Sequence, residues 1–193
     1  MKLCASVGDG AGQRGAIPMN EEYDEDEHVK TVYVHFGLAI YFSQVLEHGL
    51  VNALVFIDLL PRRAGRPVPR REWFKEFNSF MDQHFETTLG KMIRSLKTAI
   101  AVPGELESLL AVALEKRNFL AHHYFKDRAA EFMTKTGRDA MICELQDART
   151  LFEQADDKLD EVVKPLRERF GFTDEQFEQH FENYKAKIQR GGL

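Results

Sequence analysis

The sequence predicts an all-α fold, and three observations carry that prediction. Apolar residues recur at helical spacing, no segment alternates in the manner of a strand, and Gly and Pro divide the chain into helical lengths. With 193 residues, 44% apolar and 30% charged, the chain can bury one sizeable core. The expected architecture is an antiparallel helical bundle around the first, fourth and fifth long helices, forming a single domain over 29–190.

Residues 1–28 are glycine-rich and then acidic, with six acids in the seven positions from Glu21 to Glu27, and are expected to be a disordered tail. Met1–Val7 is followed by Gly8-Asp9-Gly10 instead of an apolar run, so no signal peptide is expected. Met19 is a second candidate start. The first helix, about 29–60, contains the most apolar run of the chain, Phe36–Leu60, whose 25 residues could span a bilayer. Gln44, Glu47, His48, Asn52 and Asp58 interrupt it, which favours the central helix of a soluble protein with no membrane partner. Two cysteines, Cys4 and Cys143, make no disulfide framework and fit a reducing, cytoplasmic setting.

The connector 61–71, with three prolines and five arginines, is expected to be non-helical. A second helix follows over about Glu72 to Glu86, with Trp73, Phe77, Phe80 and Phe85 towards one face. Leu89, Met92, Ile93, Leu96 and Ile100 mark a third. Pro103 suits the first turn of a fourth, about Gly104–Lys126, and a short helix is expected over 128–135. The fifth long helix carries the clearest period: Met141, Leu145, Ala148, Phe152, Ala155, Leu159, Val162 and Leu166 form a heptad stripe, with a kink expected at Pro165. Thr173 and Gln176 form a capping box for a last helix, whose Phe177, Phe181, Tyr184 and Ile188 share a face.

Chemistry is sparse outside one cluster. The single Glu-x-x-His, Glu25 to His28, has no second copy, and there is no Cys-x-x-Cys, so no metal site or other cofactor is expected. Neither a phosphate-binding Gly-x-x-x-x-Gly-Lys loop nor a Gly-x-Ser-x-Gly nucleophile elbow occurs. The dense polar segment is Glu115-Lys116-Arg117-Asn118-Phe119-Leu120-Ala121-His122-His123-Tyr124. In an unbroken helix Arg117 and Tyr124, seven apart, share a face, which favours Tyr124 as a phosphate-groove residue over a half-buried aromatic beside Phe125, while Asn118 and His122 form the adjacent stripe. A guanidinium can hold a phosphate and stabilise charge growing on it, and an imidazole can move the proton of a ribose 2′-OH. Such a set suits metal-independent phosphodiester chemistry. Glu47, inside the apolar first helix, needs a partner: Arg117 is the candidate, and some other buried polar contact is the alternative.

Arg117-x4-His122-x-Tyr124 resembles the Arg-x4-His-x-Tyr signature of HEPN domains (higher eukaryote and prokaryote nucleotide-binding), with Asn118 matching the polar residue that commonly follows their arginine. The architecture of 30–170 is similar too. The resemblance implies an endoribonuclease, a toxin or defence effector, that cleaves RNA to a 2′,3′-cyclic phosphate. His122 would be general acid/base, Arg117 the transition-state stabiliser and Asn118 a positioning residue. Beside them, His123 and Lys116 are candidate substrate-binding or regulatory residues, with Tyr124 and Glu47. It also implies a homodimer whose groove forms where two motif helices meet, and in one subgroup a nucleotidyltransferase antitoxin that modifies the motif tyrosine, here Tyr124. The alternative is a non-catalytic HEPN-like module that binds nucleotide or RNA or acts as a protein scaffold. Residues 61–97, with nine bases against four acids, are either a solvated flexible loop or an RNA-phosphate patch, in contrast to 139–183, with five bases against thirteen acids.

Overall fold

The computed structural model describes residues 23–190. Most of the expected tail, and the candidate start at Met19, lie outside the described residues. All regular structure among the described residues is helical.

Helix α1 spans Glu25–Leu54 and begins inside the acidic run. Asp24 caps it, its carboxylate accepting from the Glu27 N–H at 3.2 Å, while Glu25, Asp26 and Glu27 stand in the first turn, where the helix dipole favours them. The acids thus start the first helix instead of ending a tail. A π-turn, Val55–Leu59, follows directly, the Leu60 N–H reaching back to the Val55 carbonyl. Helix α2, Leu60–Arg63, then carries the chain through Pro61, so the start of the connector is helical. Pro61 stands in the first turn of α2, where its missing N–H costs least, and the wider π-turn before it eases the ring past the preceding carbonyls.

Helices α3 (Arg70–Phe85) and α4 (Leu89–Ala99) match the expected second and third helices. Helix α5 (Gly104–His122) stops sooner than expected. His123, at φ −130° and ψ −22°, breaks the helical path. Two one-turn helices follow, α6 (Tyr124–Asp127) and α7 (Ala129–Phe132). Helix α8 is the longest, Lys135–Arg169, and stays helical through Pro165. Gly171, at φ +82°, makes the turn into α9 (Asp174–Gln189), capped by Thr173.

Helices α1, α5 and α8 form the centre of the bundle, as expected, but not all of them are antiparallel. Glu25 meets Arg138, His28 meets Asp139, Phe42 meets Arg149, and Gly49 meets Asp156, so α1 and α8 run in the same direction. Helix α5 runs against α8, pairing Lys116 with Glu144 and Glu105 with Lys158. The long excursion through α2–α7 is what allows two parallel neighbours. Their seam is apolar: Val32, Ala39, Leu46 and Leu50 of α1 meet Met141, Leu145, Ala148, Phe152, Ala155 and Leu159 of α8 within one buried core. Beyond Leu159 the buried position moves to Val163, and Val162 is only half-buried, because a 3.6-residue turn drifts off a strict heptad repeat. By length and composition alone the helical stretch from Glu25 to Arg63 could cross a membrane; here Val32, Ala39, Leu46, Leu50 and Val51 join the core, while Tyr33, Val34 and Tyr41 are exposed.

Candidate functional site

The break at His123 decides how the motif is presented. Upstream of it, Arg117, Asn118 and His122 leave the last two turns of α5. Arg117 is half-buried, and its Nε donates to the Glu47 carboxylate of α1 at 3.0 Å, the pairing expected for both residues. Asn118 is exposed, its Oδ1 3.4 Å from the Arg117 Nη1, a long contact. His122 and His123 are both exposed, their rings edge-on at 6.3 Å. The side chains of Arg117 and His122 diverge by about 140° around an ideal helix, so one α5 does not aim them at a common atom.

Downstream of the break, Tyr124 departs from expectation. It is 1% exposed instead of lining a groove with Arg117. Its hydroxyl donates to the Met141 carbonyl at 3.1 Å, and its ring lies among Phe36, Phe119 and Phe125. An unbroken helix would have kept Tyr124 above Arg117; the non-helical dihedrals of His123 swing it inward instead. Burial first, and the nearby Glu144 charge second, push its phenol above the ordinary range against the opposing charge of Arg128.

Lys116 also turns away from His122. It lies 3.4 Å from Glu144 of α8, which is gripped at 2.8 and 3.1 Å by Arg128. Both cations sit over the Phe119 ring, at 5.6 and 5.3 Å. Burial alone would raise the Glu144 carboxyl, but the Arg128 hydrogen bond and the charges of Arg128 and Lys116 outweigh it and hold it below its ordinary value. This clamp fixes the end of α5 and the α6 turn to α8. It escaped the sequence because Arg128 follows the helix break and no periodicity links it to Glu144.

The arginine-rich connector is partly committed to local pairs. Arg62 bonds Asp58 at 2.5 Å, Arg63 pairs with Glu76, and Arg70 lies over Phe74. Its first arginines stand fifteen residues beyond Glu47, about 20 Å along the helix axis, well away from Arg117. Among the described residues, no group of three or more His, Cys, Asp or Glu side chains is arranged to hold a metal ion. The face around His122 therefore offers one oriented guanidinium, an amide and two accessible imidazoles. Compared with protein-family models, curated proteins and solved structures, the chain matches none.

Proposed function

We propose that this chain is a HEPN-like endoribonuclease that cleaves RNA without a metal, acts as a homodimer in the cytoplasm and serves as a toxin or defence effector. The observation that carries the reading is the exposed end of α5, where His122 and Asn118 are open to solvent beside an Arg117 that Glu47 orients. Exposed Ala111 and Ala121 also lie about 80° apart around α5, small side chains that would let a second copy's α5 approach. In a two-fold pair, Arg117 of one copy would converge with His122 of the other, answering the divergence within one helix. His122 takes the proton of the 2′-OH as its oxygen bonds to phosphorus. The bond from phosphorus to the 5′-oxygen breaks, that oxygen receives a proton, and Arg117 holds the charge on the phosphoryl oxygens. The products are a 2′,3′-cyclic phosphate and a 5′-OH end.

Buried Tyr124 takes no part in this scheme. A nucleotidyltransferase partner would need a site other than its hydroxyl.

The test is cleavage of mixed cellular RNA by the purified chain in EDTA. Cleavage is expected with 5′-OH ends, and Arg117→Ala and His122→Ala should each lower it at least ~100-fold without unfolding the protein. A well-folded protein that binds RNA and cleaves none would support the non-catalytic scaffold instead.

A further inference from the structure

Another concave feature lies on the far side of α1 and has no part in RNA cleavage. A cavity of about 690 Å³ opens between the end of α1, the π-turn, α3, the C-terminal half of α8 and the start of α9. That volume suits a small organic molecule. Its walls include Phe56, Trp73, Phe77, Phe172 and Phe177. The rings meet at angles, Phe56 and Phe172 at 5.4 Å and Phe172 and Phe177 at 6.1 Å, so ring faces as well as edges are presented.

The charge in the cavity is unbalanced. Asp156, Asp157 and Asp160 of α8 line it, with Arg167 as the one cation. Arg167 is already engaged, with Asp174 at 2.6 Å, Asp160 at 3.6 Å and the Phe177 ring at 5.1 Å. Asp156 has neither a hydrogen bond nor an ion pair among the described residues; the charges acting on it are those of Asp157 and Asp160. Its Oδ1 lies 2.2 Å from where a Cβ would stand on Gly49, so the glycine is what admits the carboxylate against α1. A half-buried, unpartnered carboxylate in an aromatic chamber lacks a counter-charge.

We propose that this cavity binds a small organic cation, a protonated amine on an aromatic or branched alkyl body, with the ammonium on Asp156 and the body against Trp73 and Phe77. Aromatic faces attract cations, the carboxylate supplies the ion pair, and the surplus negative charge rejects anions of the same shape. Glu47 and Gly49 are two residues apart on α1 and face α5 and α8 respectively, so this site backs onto the RNA face without sharing a side chain with it. Neither proposal depends on the other.

Burial first, then Asp157 and Asp160, push the Asp156 carboxyl up to about 6. Arg167, held by Asp174 and Asp160, is the remaining charged group lining the cavity, while α1, α3 and α9 contribute Gly49, Asn52, Trp73, Phe74, Phe77 and Phe177, all uncharged. A cation selects the ionised carboxylate, so affinity falls as pH drops below about 6.

Trp73 is the only tryptophan in the chain and reports binding directly through its fluorescence. Phenethylamine, 2-phenylethanol and phenylacetate share one body and carry positive, neutral and negative charge. At pH 7.5 phenethylamine should give a saturable change, with the alcohol and the acid at least roughly tenfold weaker. Asp156→Asn, kept folded as judged by circular dichroism, should weaken phenethylamine at least roughly tenfold and leave the alcohol unchanged. Equal affinity for amine and alcohol, undiminished amine binding by Asp156→Asn, or no saturable response to phenethylamine would each overturn the proposal. RNA cleavage is not the readout, so its outcome stands apart.

Discussion

Tyr124 and Arg117 are seven residues apart, yet one is buried in the core and the other half-buried on Glu47, because the backbone leaves the helix at His123. No Gly or Pro marks that break, so nothing in the residues signals it and an unbroken helix is the natural expectation. The Glu47–Arg117 pair was legible for the converse reason: a carboxylate inside an apolar helix requires a partner. Tyr124→Phe removes only the hydroxyl bonded to Met141, so a loss of about 1 kcal/mol is expected. Thermal melts should register it as a fall of roughly 2–4 °C, and a wild-type melting temperature would contradict the buried bond. Asp156 offers a pH-dependent counterpart. Its native carboxyl titrates near 6 against an ordinary 3.8, so the folded state binds the proton more tightly. The associated stability is fully present below the ordinary value and lost as pH rises through about 6. Asp156→Asn should therefore match the parent near pH 4 and exceed it at pH 7.5, by about 1 kcal/mol once solvent screening of the partly exposed group is discounted. Denaturant midpoints at the two pH values measure this, and equal shifts at both would contradict it.

Helix α8 shows what a periodic stripe does and does not reveal about an element. Its buried face from Met141 to Leu159 is the one the spacing picks out, since burial on one side is a local property of the sequence. Its direction relative to α1 is not local: apolar stripes pack equally well parallel or antiparallel, and the choice rests on the excursion between them. The start of α8 is fixed by backbone contact. A Cβ on Gly137 would fall 2.1 Å from the Glu131 carbonyl oxygen and 2.6 Å from its Cα, whereas one on Gly49 would meet the side chain of Asp156. Gly137→Ala is accordingly expected to cost about 3 kcal/mol, because backbone must move. Gly49→Ala should cost less, because a carboxylate can rotate aside. Chemical denaturation of the two variants gives the ranking, and a Gly49 variant weaker than the Gly137 variant would reverse it.

For the whole molecule, the helical class and the identity of the three central helices were readable from composition and period, whereas what covers the outer helices was not. Helix α9 keeps Phe177, Phe181, Tyr184 and Ile188 on one face as the spacing indicates, yet they are exposed by 44%, 59%, 53% and 45%. Periodicity reports that a face is apolar without saying whether this chain supplies the surface that covers it. The proposed two-fold arrangement belongs to this scale. Sedimentation at micromolar concentration should give twice the chain mass, and replacing exposed Ala121 on α5 with Arg should give the single chain with an unchanged far-ultraviolet spectrum. A monomeric parent protein would remove the composite RNA groove.

The parallel seam between α1 and α8 also sets a timetable. Their first residues, Glu25 and Lys135, are separated by 110 positions. At a synthesis rate of roughly 5–20 residues per second, the nascent first helix waits about 5–20 s before its partner has even begun to emerge. For that interval the most apolar segment of the chain lacks its main packing surface. The ribosome-bound intermediate is thus the stage at which this protein is most exposed to aggregation and most in need of a chaperone.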